Sequence, residues 1–132
     1  NSYFVADFFG SPSMNLIEGD LITKGKKVEF HSIDIKLDLP KSLIKTPPGP
    51  ATLGIRPEQI LVNNKSGTKK KIYLVEPLGK DTLLYFETET GNELIAVVDS
   101  NTKFKAGDTP GITFPEDQIF LFDKNGDRVS AK

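Results

Sequence analysis

The sequence predicts an all-β domain, a small barrel or a sandwich. Short runs rich in Val, Ile, Leu, Phe and Tyr recur along the chain, and Gly, Asn and Pro separate them at regular spacing. The clearest run, Ile33-Asp34-Ile35-Lys36-Leu37-Asp38-Leu39, alternates with the two-residue period of a half-buried antiparallel strand. The 132 residues have the length of one domain, taken as residues 1–132. Folding a chain of this size buries roughly 65–70% of its unfolded surface, enough for a true core.

Taken in order, Tyr3, Phe4, Phe8 and Phe9 stand at near-helical spacing, so residues 2–9 are expected to form a short N-terminal helix with an apolar stripe, ended by Gly10. Strands are expected over Met14–Ile22 and Lys27–Phe30, joined by a turn at Gly25-Lys26. Pro40 stops the alternating strand, and Thr46–Pro50 reads as a loop or an internal boundary. Strands follow at 52–56, 69–76, 82–88, 93–98, 112–114 and 119–122, separated by turns that include Ser66-Gly67, Gly91-Asn92 and Gly107-Asp108. Pro57–Leu61 is expected to turn helically. Gly54–Ile60 and Gly111–Ile119 echo one another, each a strand running into proline and then acidic residues. Asn125-Gly126 has the composition of a two-residue type I′ turn.

Composition narrows the function. The chain is 37% hydrophobic and 27% charged, with a formal net charge of −1, unlike the basic balance of a dedicated nucleic-acid binder. It holds no apolar run near the ~20 residues that span a bilayer. With no cysteine, disulfides and thiolate metal sites are impossible. Met14 is the only methionine, so Asn1 is not expected to be a natural start. Neither G-x-x-x-x-G-K-[ST] nor G-x-G-x-x-G occurs, leaving no loop to cradle phosphates. His31 is the single histidine and is expected to have an ordinary structural or surface role. Asp123-Lys124-Asn125-Gly126-Asp127 fails as an EF-hand calcium loop, because Arg128 stands where the sixth-position glycine is needed. Lys65, Lys69, Lys70 and Lys71 are expected at a solvated hairpin tip. These residues predict a chain that is not itself an enzyme, with no catalytic, cofactor-binding or metal-ligating residues.

Four strings in order carry a resemblance: Phe4-Val5-Ala6-Asp7-Phe8-Phe9-Gly10-Ser11-Pro12-Ser13-Met14-Asn15; Leu53-Gly54-Ile55-Arg56-Pro57-Glu58; Val75-Glu76-Pro77-Leu78-Gly79-Lys80-Asp81-Thr82; and Pro115-Glu116 through Phe120-Leu121-Phe122-Asp123 to Gly126. Together they resemble the C-terminal regulatory domain, the transport-associated OB (TOBE) domain, of the ATP-binding subunit in ABC importers for sugars of the maltose and glycerol-phosphate type. The resemblance implies an OB-fold-like small barrel with additional antiparallel strands. It implies a regulatory and dimerisation domain that follows a nucleotide-binding domain, where ATP and Mg would bind. That domain is expected ahead of Asn1. The implied partners are that domain, a second copy of the subunit, the permease subunits and a regulatory protein, with no nucleic acid. The implied location is cytoplasmic, peripheral at the inner face of the cell membrane. The alternative function is an OB-like sensor of a sugar or oxyanion that feeds back on transport.

Candidate interface or signature residues are Arg56, Glu58, Glu76, Gly79, Asp81, Phe4, Phe8 and Phe9. Arg56 is expected either to meet a partner or to bridge internally to Glu58, Glu76 or Asp81. Gly79 is expected in a turn at positive φ. The three phenylalanines are expected to pack on the ATP-binding domain or a second copy.

Overall fold

Twelve strands build three antiparallel sheets over residues 13–129, the part of the chain described by the structure, a computed structural model. The strands are β1 (Asn15–Lys24), β2 (Lys27–His31), β3 (Lys36–Leu39), β4 (Gly49–Ile55), β5 (Leu61–Asn63), β6 (Thr68–Lys69), β7 (Ile72–Leu78), β8 (Asp81–Phe86), β9 (Ile95–Asp99), β10 (Gly111–Thr113), β11 (Phe120–Asp123) and β12 (Arg128–Val129). The large sheet runs β12-β11-β4-β1-β2-β3, and the small ones run β5-β10-β6 and β7-β8-β9. Strands far apart in sequence become neighbours, as where β4 pairs with both β1 and β11.

Register explains the core. Ile17 stands opposite Leu53, and Leu53 opposite Leu121, so one row of aliphatic side chains crosses three strands on the inner face. Phe30, Leu53 and Ile55 of the large sheet, Ile112 of β10, and Ile72 and Leu84 of β7 and β8 are fully buried and join the three sheets around one core. Each such side chain contributes about 1.5–3 kcal/mol by leaving water.

Several expectations change. The alternating run is a strand only over Lys36–Leu39, because residues 32–35 form a tight turn. The Ser32 hydroxyl accepts the N–H groups of Asp34 and Ile35, and the Ser32 N–H donates to the Ile35 carbonyl. Within that turn Ile33 points out, 72% exposed, while Asp34 is buried. The Thr46–Pro50 loop ends earlier, since β4 already begins at Gly49. Asn125-Gly126 is not a two-residue turn. Asp123 pairs with Asp127 through the Asp123 N–H to Asp127 carbonyl bond, leaving a three-residue loop that closes with Gly126 at φ +83°. The Asp123 carboxylate accepts the N–H groups of Asn125 and Asp127, which selects this wider loop. Strands β5 and β12 were not expected; at 3 and 2 residues they are too short to show periodicity.

The helical turn after Pro57 is one 3-10 turn, Pro57–Gln59, because Ile60 returns to extended backbone and is buried. Its echo forms a matching 3-10 turn at Glu116–Gln118 after Pro115. The N-terminal helix expected over residues 2–9, with Phe4, Phe8 and Phe9, lies outside the described residues.

Candidate functional site

Arg56 closes β4. The residue before proline is confined to extended backbone, and Arg56 adopts φ −72°, ψ 143°. Pro57 turns inward and is buried, while the Arg56 side chain is left exposed. Phe120 opens β11 directly opposite Gly54, and Arg128 on β12 stands opposite Phe122, so Phe120 and Arg128 share a sheet face. The Arg56 guanidinium carbon lies 5.5 Å from the Phe120 ring centroid and that of Arg128 lies 4.7 Å from it. Two cations share one aromatic ring, each contact worth about 0.5–1 kcal/mol at an exposed position. The bridge from Arg56 to Glu58, Glu76 or Asp81 does not form: among the described residues no ion pair joins them. Glu58 is exposed on the 3-10 turn, and Glu76 and Asp81 belong to a different sheet.

Glu76 is engaged elsewhere. Its carboxylate accepts the Tyr85 hydroxyl at 2.7 Å across β7 and β8. That bond, helped by partial burial, pushes the Tyr85 phenol up to about 12. Gly79 sits at φ +78° in the turn between Leu78 and Asp81, as expected. The Gly79 carbonyl accepts from the Ser100 hydroxyl at 2.8 Å, and that hydroxyl lies 2.7 Å from the Thr82 hydroxyl. Asp81 is exposed and stands directly opposite Asp99. Around this hairpin Tyr73, Leu74 and Leu78 of the edge strand β7 are about half exposed (52%, 47% and 55%), an apolar patch beside Glu76.

Two polar clamps escaped the sequence reading. Asn15 is 4% exposed; its carboxamide donates to the Ile95 carbonyl and accepts the Ile95 N–H, both at 2.8 Å. Ile95 lies on β9, the edge of its sheet, so Asn15 plays the part of a neighbouring strand and locks the large sheet to β7-β8-β9. Asp34 accepts the Lys70 ammonium at 3.1 Å, the Glu89 N–H at 2.7 Å and the Thr90 hydroxyl at 3.2 Å. Burial raises the Asp34 pKa, but the Glu89 N–H and Lys70 outweigh it, so the carboxyl stays below its ordinary value. Lys70 is therefore no solvated tip residue; its side chain is 13% exposed. The only signal for Asn15 was its place at the end of the first motif, and Asp34 gave none.

His31 meets Glu29 at 2.6 Å, and this bond holds the Glu29 carboxyl below its usual range. Among the described residues no three His, Asp or Glu side chains converge as metal ligands. No helix among them is long and apolar enough to cross a membrane. One cleft of about 160 Å³ lies between β1, the Ser32–Ile35 turn and residues 88–94, with Glu18, Asp34 and Glu93 on its walls.

Antiparallel strands wrapped around one core and tied by polar clamps between distant segments are the build of a small all-β domain. The chain belongs to the TOBE domain family, which matches residues 53–122, and the MalK OB fold domain family matches residues 10–60. It is 33% identical over 143 residues to the xylose/arabinose import ATP-binding protein XacK of Haloferax volcanii, covering all of this chain and 36% of that protein. Against the sn-glycerol-3-phosphate import ATP-binding protein UgpC of Psychromonas ingrahamii it is 33% identical, covering 92% of this chain and 33% of that one. Against the alpha-glucoside transport ATP-binding protein AglK of Rhizobium meliloti it is 31% identical, covering 97% and 37%. The chain thus spans about a third of the length of these relatives. The fold is also that of the cytoplasmic molybdate-binding protein ModG, with a TM-score of 0.62 at 13% identity, covering 86% of this chain and 97% of that one.

Proposed function

We propose that this domain is the regulatory and dimerisation part of the ATP-binding subunit of a carbohydrate-uptake ABC importer, and is non-catalytic by itself. The observation that carries the reading is the likeness of the whole chain to one third of several import ATP-binding proteins for sugars and glycerol phosphate. The physical role follows from tethering. Two subunits that meet through a domain remote from ATP stay together when the nucleotide contacts open, because a short tether keeps the effective concentration near the millimolar range. Such a domain needs rigidity, which the Asn15 and Asp34 clamps supply, and one self-complementary patch. The Tyr73, Leu74 and Leu78 surface around Glu76, Gly79 and Asp81 is the patch of suitable character. In this reading ATP and Mg bind the nucleotide-binding domain of the intact protein. Its partners are that domain, a second copy, the permease subunits and a regulatory protein, at the cytoplasmic face of the membrane.

Deleting residues 13–129 from the intact protein tests this. Sedimentation velocity is expected to show dimers lost without ATP while ATP turnover continues. Unchanged dimers with unchanged regulation, or ATP hydrolysis by the isolated chain, would refute it. The oxyanion branch of the sensor alternative is disfavoured by the carboxylates of Glu18, Asp34 and Glu93 around the cleft. Calorimetric heat on adding a neutral sugar to the chain would favour the sugar branch instead.

A further inference from the structure

We propose that Arg56, Phe120 and Arg128 form a docking site for carboxylate side chains of an acidic protein segment. Among the described residues Lys70 pairs with Asp34 and Lys24 with Glu29. Arg56 and Arg128 differ from the unpaired surface lysines in being fixed together on one ring. Two exposed guanidiniums are held over one ring, and neither has an ion-pair partner among the described residues. Acids near in sequence do not fill the role. Asp123 is occupied by the N–H groups of Asn125 and Asp127, and neither Glu58 nor Asp127 forms an ion pair.

The chemistry of the pair selects its occupant. A guanidinium resting on an aromatic face keeps its N–H edges free and loses little further freedom on binding, so it meets a planar carboxylate bidentately. Arginine and phenylalanine are both enriched at protein interfaces, and arginine is among the residues that carry most of their energy. Two cations on a chain of net charge −1 are too few for a run of nucleic-acid phosphates or a lipid surface. The inference is independent of dimerisation, and its test leaves that reading untouched.

The test follows the Arg56 and Arg128 Nε–Hε signals by NMR while acetylated tetraglutamate is added to the chain. Inorganic phosphate, tetralysine and vesicles with three parts in ten phosphatidylglycerol are run in parallel. Saturable shifts of both signals with tetraglutamate, absent with tetralysine, are expected. Arg56→Ala or Arg128→Ala should each weaken binding about tenfold, the worth of one charge-assisted hydrogen bond. Arg56→Lys, which keeps the charge and loses the fork, should recover only part of it. Backbone amide spectra of the variants, expected to be native-like, separate lost binding from lost folding. Absence of shifts, or tetraglutamate-dependent shifts of backbone amides that persist in the double alanine variant, would overturn the proposal. So would saturation by phosphate at lower concentration, which marks a small-oxyanion site, or arginine-dependent vesicle binding, which marks a lipid surface.

Discussion

Replacing Asn15 by alanine removes a side chain that bonds the large sheet to both main-chain polar groups of Ile95, at the edge of β7-β8-β9. Two bonds are lost, both 2.8 Å long and buried, and the Ile95 N–H and carbonyl are left facing a site that water reaches poorly. A typical internal bond is worth about 1 kcal/mol net, and a buried group left unpaired costs about 1–3 kcal/mol. Two such groups give an expected loss of about 2–6 kcal/mol. At about 3–5 °C per kcal/mol for a chain of this size, the melting temperature should fall by about 6–30 °C. With no tryptophan in the chain, urea unfolding is best followed by circular dichroism or by tyrosine fluorescence. Asn15→Asp sharpens the result. It keeps the shape and the acceptor for the Ile95 N–H, but sets a carboxylate against the Ile95 carbonyl, which raises the aspartate's folded pKa. A raised folded pKa means that the deficit relative to the parent is absent below the unfolded pKa and grows as pH rises through the folded one. The variant should therefore approach the parent's stability near pH 4 and fall short of it at pH 7. A loss under about 0.5 kcal/mol for Asn15→Ala, with unchanged hydrogen exchange at the Ile95 amide, would refute the clamp.

Three further outcomes are expected. Lys70→Met leaves Asp34 buried without its cation and should cost about 2–4 kcal/mol in urea unfolding at pH 7, since the Glu89 and Thr90 bonds remain. Because the Asp34 pKa is depressed in the fold, its contribution is present above the ordinary value near ~3.9 and is lost as pH falls through the folded value; acid unfolding of Lys70→Met should begin at a higher pH than in the parent. Glu76→Gln should bring the Tyr85 phenol down from about 12, read as ultraviolet absorbance of phenolate appearing at lower pH. Gly79→Ala should cost about 1–2 kcal/mol through its φ of +78° alone, because an added methyl there meets nothing within 4 Å; a thermal melt checks it.

Local chemistry was legible. Alternation at Leu37 and Leu39, the glycines at 25, 79 and 126, and the prolines at 57 and 115 each act within a few residues. Most strand positions and turns therefore followed from neighbours alone, and the four ordered motifs indicated the family. Asp34 defeated that logic. Its place in an alternating run made it an outward charge, yet Ser32 tightens the chain into a turn and the carboxylate swings inward to Lys70, 36 residues away. Asn15 meets Ile95 across 80 residues, and Arg56 shares Phe120 with Arg128 from three separate strands or their ends. Among the candidates, Arg56 lies over Phe120, Gly79 holds a turn at positive φ, Glu76 is bound to Tyr85, and Phe4, Phe8 and Phe9 lie outside the described residues. By itself the sequence determined what each short segment could become, because backbone preference and hydrophobic period are local. Tertiary structure alone decided which polar groups would meet, because strand order closes long loops and brings together side chains that no spacing rule connects.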